Sequence, residues 1–269
     1  MSSYLITGAA RGIGFEFVRN LSSANPENTV FALVRSLSNS QRLAELQLKA
    51  KNIHILEADI TDVAALKIAA AAVQKITGGS LDYLINNGAL IEADRRNNNL
   101  DGYPEGQEDI LEKDLTDSFH VNVVGVVHTI NVFLPLIRKG TAKKVITISS
   151  GMADVDFALQ IGLSNQAPYS ISKAAVNMVV AKYAAEYKAE GIVFVAVCPG
   201  LVDTAATAPA PRDVEEYEGM VAYFRTMKPD FEGAMTPEKS VSMLLGLVHK
   251  WTVEDTGSFV SHYGNKDWL

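Results

Sequence analysis

Tyr169 and Lys173 lie four residues apart in Tyr169-Ser170-Ile171-Ser172-Lys173, a spacing that places both side chains on one face of a helix. A phenol with its ordinary pKa near ~10 is a poor acid or base at neutral pH. A neighbouring ammonium favours the phenolate and moves that pKa toward a useful range. The pattern alone also occurs on solvated helices; its weight comes from Ser150, which follows the apolar run 144–148 and is placed to hydrogen-bond a substrate carbonyl.

A second group sits near the N-terminus. Thr7-Gly8-Ala9-Ala10-Arg11-Gly12-Ile13-Gly14 separates a short apolar run from a helical pattern. Glycines there let the chain turn tightly and approach a pyrophosphate at the helix N-terminus. The order is G-x-x-x-G-x-G, not the G-x-G-x-x-G of the common dinucleotide fingerprint. NAD-selective sites place an acid about 20 residues downstream to hold the ribose 2′-hydroxyl. Residues 31–40 contain no acid; Arg35 stands there, 21 residues after Gly14. A guanidinium suits a 2′-phosphate, and Arg11 is positioned to flank it, so NADP(H) is the expected cofactor. Asp59 is read either as an acceptor for the adenine amino group or as the cap of a helix starting near residue 62.

These groups need elements to hold them. Strand-like runs at 4–7, 29–34, 53–56, 81–85, 144–148, 192–197 and 258–260 alternate with helical patterns at 13–21, 38–49, 62–76, 108–138 and 167–190. The helix over 108–138 is predicted to break before Pro135. Continuous apolar strands separated by helices imply a parallel sheet covered on both faces. With no linker, 1–269 reads as one domain. The Asn-, Asp- and Gly-rich stretch 94–109 reads as a solvated loop, and 205–237 as a lid over the substrate, whose Tyr217, Tyr223, Phe224 and Met227 suit a bulky or aromatic ketone.

Composition narrows the function. The chain has 269 residues, 48% hydrophobic, with a single cysteine, Cys198, and a net charge of −7. One cysteine excludes an intramolecular disulfide and a multi-thiolate zinc site, and the five histidines show no metal-ligand spacing, so no metal is expected. The negative charge argues against nucleic-acid or anionic-membrane partners. The apolar stretch 121–137 is interrupted by Asn122, His128, Asn131 and Pro135 and reads as a buried helix, not a membrane span. A soluble, cytoplasmic protein is the expectation.

The ordered motifs resemble the short-chain dehydrogenase/reductase family, compact single-domain branch. They are Thr7-Gly8-x-x-x-Gly12-Ile13-Gly14, Asp59, Asn86-Asn87-Gly88-Ala89, Asn122, Ser149-Ser150, Tyr169-x-x-x-Lys173 and Pro199-Gly200-x-Val202-x-Thr204. The resemblance implies a Rossmann-like α/β sheet, doubly wound and parallel, of about seven strands, with hydride transfer to or from a nicotinamide. It makes Tyr169 the acid/base, with Lys173 binding the nicotinamide ribose and lowering the Tyr169 pKa. Ser150 orients the substrate oxygen, and Asn122 holds a water in a proton relay. Asn86 and Gly88 lie along the adenosine half, with Asp59 and Ile60, while Pro199, Gly200, Val202 and Thr204 line the nicotinamide. The second serine, Ser150, is preferred over Ser149.

Two departures are visible. Gly88-Ala89 inverts the usual small-residue pair, and Ser150 and Tyr169 are separated by 19 positions, longer than the common family interval. An insertion near 157–165 is therefore predicted to lengthen a loop beside the pocket. In this the chain is similar to carbonyl reductases of the sniffer and C-factor type and to fungal ketoreductases resembling norsolorinic acid reductase. The implied activity is NADPH-dependent reduction of a small-molecule ketone or aldehyde. An alcohol dehydrogenase working oxidatively and a non-catalytic NADP(H)-binding sensor stay open. The apolar stripes of 108–138 and 167–190 suit either a core face or the interface of a homodimer or homotetramer.

Overall fold

The computed structural model describes residues 1–92, 94–207 and 213–269. Part of the expected lid, 208–212, lies outside the described residues. Seven strands form one sheet: β1 (Ser3–Thr7), β2 (Thr29–Val34), β3 (Ile53–Glu57), β4 (Tyr83–Asn86), β5 (Lys144–Ile148), β6 (Val193–Val197) and β7 (Phe259–Val260). Their order is β3-β2-β1-β4-β5-β6-β7, and every pairing is parallel. The order reverses between β1 and β4, and ligands of such sheets bind outside the strand carboxyl ends at this switch. Thr7 and Asn86 end those two strands.

Successive strand residues face opposite sides, and both sides are apolar. Ile6, Val30, Ile146 and Val195 pack under α1 (Gly12–Ala24), α2 (Gln41–Lys49) and the C-terminal helix Pro237–Lys250. Their neighbours Leu5, Phe31, Val145 and Phe194 face α3 (Val63–Thr77), α5 (Gly125–Ile137), which continues from α4 (Glu108–Phe119), and the helix Ala167–Tyr187. This is a doubly wound, Rossmann-like α/β domain. The continuous stretch Glu108–Ile137 is long and apolar enough to pass for a membrane span, yet most of its apolar window is buried inside the protein.

The structure revises two sequence expectations and adds to others. Pro135 does not break its helix; it sits in the last turn, where one missing N–H removes little. The irregularity lies upstream, in a π turn over His120–Val124. The insertion after Ser150 is not merely a longer loop but a helix, α6 (Val155–Ile161), with Asp154 accepting from Phe157 N–H at 3.0 Å and Gly162 at φ 60° ending it. Ala167–Tyr187 becomes α7 (continuing as a 3-10 turn to Glu190). The stretch 205–237, expected to form a lid, contains α8 (Val214–Met227), and α9 (Pro237–Lys250), unforeseen, is capped by Thr236. Residues 94–109 form an exposed surface loop, as expected, and it is anchored: Asp114, fully buried, receives two 2.7 Å bonds from Arg95 and one of 2.9 Å from Tyr103. The Arg95 guanidinium holds the Asp114 carboxyl below its ordinary range against the opposing effect of burial.

At the other end of the sheet Asp82, just before β4, clasps three segments. Its carboxylate accepts from Ser3 N–H and Oγ–H (2.8 and 2.9 Å) and from Thr141 and Ala142 N–H (2.7 and 3.3 Å). Burial pushes its pKa up, but these bonds outweigh it and hold the group below its ordinary value. The stabilisation is therefore complete above pH ~4 and is lost as pH falls through the lowered value. Asp82→Ala is expected to cost about 2 kcal/mol at pH 7, a Tm drop of about 4–8 °C. In thermal melts the gap between wild type and variant closes as pH is lowered toward ~3.

Candidate active site

The chemical end is built where β5 and α7 meet. Gln166 adopts φ 53° immediately before α7 and donates its N–H to Arg96 O at 3.0 Å. Pro168 follows in the first turn, so Tyr169 enters at the helix start and Lys173 one turn later. Lys173 is 3% exposed; its Nζ donates to Ile148 O, the last residue of β5, at 2.8 Å. The same Nζ stands 5.6 Å from the centre of the Tyr169 ring.

The paired serines separate cleanly. Ser149 Oγ donates to Asn177 Oδ1 on α7 at 2.7 Å. Ser150 Oγ accepts from Met152 N–H at 3.2 Å and its side chain hydrogen-bonds Tyr169. Ser150 is therefore the serine brought to Tyr169. Burial, with a smaller contribution from Cys198, pushes the Tyr169 phenol well above its ordinary value, while the Ser150 hydrogen bond pulls it down. Burial also lowers Lys173 to about 8. In the chain by itself burial dominates, and Tyr169 is held as a phenol. Cys198 is buried and its thiol pushed up by burial.

Asn122 occupies the π turn. Its Oδ1 accepts from Leu90 N–H at 2.7 Å, and its Nδ2 donates to Leu90 O and Ser172 Oγ, both at 2.9 Å. The side chain thus joins α4–α5, α7 and the segment after β4. Tyr169 also borders a small recess with Ile91, Tyr103 and Gln166, so the pinned 94–109 segment reaches the site.

The cofactor end lies beside it. A Cβ on Gly14 would stand 2.3 Å from Gly8 O, and one on Gly8, at φ 64°, 2.7 Å from the Gly88 backbone. The first turn and the segment after β4 are in backbone contact. Asn87 locks them: its Nδ2 donates to Thr7 O and Gly8 O (3.0 and 3.2 Å), and Thr7 Oγ1 accepts from Asn87 and Gly88 N–H (3.0 and 2.9 Å). The swap to Gly88-Ala89 leaves this contact intact. Arg11 precedes α1 without capping it by its side chain, and Gly12 N–H donates to Thr207 Oγ1 at 2.8 Å. Ile13 is partly buried in the same turn.

Arg35 follows β2, next to the glycine turn, and both Arg11 and Arg35 are exposed. An acid missed by sequence reading is near: Glu57, ending β3, accepts from Leu37 N–H at 3.1 Å. Asp59 accepts from Thr61 N–H and Oγ–H (2.9 and 2.7 Å), whereas Asp62 caps α3. Ile60 packs so closely on Gly125 that a Cβ there would meet it at 2.8 Å. Buried Asn86 makes one long bond to Thr147 Oγ1, 3.4 Å, and its Oδ1 has no partner.

Past β6, Pro199 O accepts from Ser240 Oγ at 2.7 Å, Gly200 sits at φ 79°, Val202 bridges Met235, and Thr204 reaches within 3.2 Å of a Cβ on Gly12. Sequence reasoning left Asn87, Thr207 and His262 out of the site. His262 is buried against Gly200 with both ring nitrogens unpartnered. Asn87 was legible in its motif; Thr207 and His262 had no local signal. A glycine cradle, a helix N-terminus that its own N-cap residue Arg11 leaves uncapped and an unanswered Asn86 Oδ1 fit a nicotinamide dinucleotide laid along the strand ends.

Comparison with known proteins agrees. The short chain dehydrogenase family model matches residues 3–215. The chain is 48% identical over its whole length to the full length of the short-chain dehydrogenase/reductase AacuF of Aspergillus aculeatus, and 45% to the short chain dehydrogenase virK of Hypocrea virens, again over both full lengths. Among solved structures, an NADPH-bound carbonyl reductase from chicken fatty liver aligns with TM-score 0.79 and 28% identity over 98% of each chain. The carbonyl reductase Sniffer of D. melanogaster shares the fold at TM-score 0.79 and 21% identity, over 98% of each chain. With the seven-stranded parallel sheet and the Ser150–Tyr169–Lys173 cluster at its carboxyl edge, these matches establish that the chain belongs to the short-chain dehydrogenase/reductase family of oxidoreductases.

Proposed function

We propose that the protein reduces a ketone or aldehyde to an alcohol with NADPH, Tyr169 giving the proton. The observation that carries this reading is the buried contact of Ser150 with a Tyr169 phenol that burial keeps protonated. A group held in its acid form is suited to donate to an oxygen that gains charge. When bound, the reduced nicotinamide supplies a hydride to the carbonyl carbon. Ser150 hydrogen-bonds the carbonyl oxygen and Tyr169 transfers its phenolic proton to it. The remaining donors of Lys173, whose other bond goes to Ile148 O, hold the nicotinamide ribose. Asn122, Leu90 and Ser172 keep the surrounding backbone in register.

Gly8, Gly12 and Gly14 cradle the pyrophosphate, Arg11 and Arg35 take a 2′-phosphate, and Pro199 to Thr204 line the nicotinamide. The NADPH-bound carbonyl reductase from chicken fatty liver supports this choice of cofactor. Exposed Phe119 and Met178 on α4 and α7 suit a second copy of the chain on that face.

Tyr169→Phe is expected to lower kcat/KM for carbonyl reduction by about 10²–10⁴-fold while NADPH still binds in a fluorescence titration; near wild-type turnover would refute the proton-donor role. Arg35→Asp is expected to raise KM for NADPH by about ten-fold or more, the loss of one charge-assisted contact, and to narrow the preference over NADH. A steady-state comparison of both dinucleotides reads this. Because Lys173 loses its proton near pH 8, kcat/KM for NADPH falls as pH rises through that value. A profile flat to pH ~10 would show that the ammonium is not required.

A further inference from the structure

We infer that Thr207 latches the stretch after β6 onto the first amide of α1, and so sets how readily a dinucleotide phosphate enters the glycine turn. This rests on the cofactor reading above, which takes that turn as the pyrophosphate cradle. The observation is a contact across 195 positions: Gly12 N–H donates to Thr207 Oγ1 at 2.8 Å. Gly12 opens α1, and Arg11 before it offers no side-chain cap. The amides of a helix's first turn have no intrahelical acceptor and are the groups that receive an anion. Thr207 answers one of them from outside the helix.

The direction of the hydroxyl decides its role. A hydroxyl carries one proton, and Thr207 gives its proton to Thr204 O at 3.1 Å. What faces Gly12 is therefore a lone pair, which suits an N–H and repels a phosphate oxygen. Latched in this way, Thr207 competes with a phosphate for the amide and is not one of its ligands. Thr204 reinforces the cover, since its methyl stands 3.2 Å from where a Gly12 Cβ would lie. The latch sits on a turn of its own. Asp203 Oδ1 accepts from Ala205 N–H at 3.0 Å, and Thr207 N–H donates to Thr204 O at 3.0 Å. The base of that turn is pinned: Asp203 N–H donates to Met235 O and Met235 N–H to Leu201 O, each at 2.9 Å. Beyond the base, Thr207 ties the turn to α1. Breaking one neutral bond frees the amide, and a phosphate in its place makes a charge-assisted bond, the stronger kind. A ligand whose competent form is only partly populated binds with its affinity lowered by that fraction, and here the latched form is the incompetent one.

Thr207→Val keeps the branched shape of the side chain and removes its acceptor, whereas Thr207→Ser keeps the hydroxyl. In stopped-flow titrations of the full chain followed by NADPH fluorescence, Thr207→Val is expected to raise the association rate constant, and with it the affinity, by about two- to ten-fold, the weight of one hydrogen bond. Dissociation stays at the wild-type rate, because the bound form has no latch to lose, and Thr207→Ser behaves as wild type. With no nucleotide present, hydrogen exchange followed by NMR is expected to show the Gly12 amide protected in wild type and in Thr207→Ser, and unprotected in Thr207→Val. Slower or unchanged association in Thr207→Val, faster dissociation, or a Gly12 amide that exchanges freely in wild type would each overturn the proposal. The exchange measurement needs neither dinucleotide nor turnover, so it fails the latch alone. A wild-type chain that binds no NADPH overturns the cofactor reading and the proposal together, and undiminished activity of Tyr169→Phe overturns the reductase reading alone.

Discussion

A lysine ammonium almost wholly removed from water must find fixed acceptors, because an unanswered buried charge is far more costly than an exposed one. Lys173 meets this demand by donating to Ile148 O at the end of β5, and the rest of the site hangs on that bond. It seats the first turns of α7 against the carboxyl edge of the sheet, which brings Tyr169 to Ser150 and aligns Asn177 with Ser149. The same burial moves Tyr169 up and Lys173 down to about 8. Both groups shift toward their neutral forms, as a low-dielectric pocket requires.

The dinucleotide end obeys a different constraint, that of backbone approach. A side chain on Gly8 would strike the Gly88 backbone and one on Gly14 the Gly8 backbone, and Asn87 satisfies the carbonyls that this contact would otherwise leave buried. Glycine is required because the close-packed neighbour is backbone, which cannot rotate away as a flexible side chain can. The contact also joins β1 to β4, the two strands flanking the reversal of sheet order, so the cradle and the switch point are one feature.

Legibility followed locality. β2 and β5 matched the expected residues 29–34 and 144–148 to the residue, since strands buried on both faces are continuous apolar runs. The end of the α7 region at Gly191, φ 72°, was equally plain. α6 and α9 carried local signals, Asp154 with Gly162 and Thr236 with Pro237, that were passed over because their surroundings read as loop and lid. The 94–109 segment is the exposed loop its composition predicts; what composition does not show is the anchoring of Arg95 to Asp114, 19 positions away. Pro135 was credited with a break because its position in the last turn could not be known until the helix end was.

By itself the sequence determined the order of strands and helices, the glycine turn, and the residue types at the chemical end, because periodicity and short-range spacing depend only on neighbours along the chain. Tertiary structure decided which serine meets Tyr169, which direction its pKa moves, and that Thr207 reaches the first helix. Each of those depends on burial or on groups joined across long stretches of chain. Burial and long-range contact exist only once the sheet has closed.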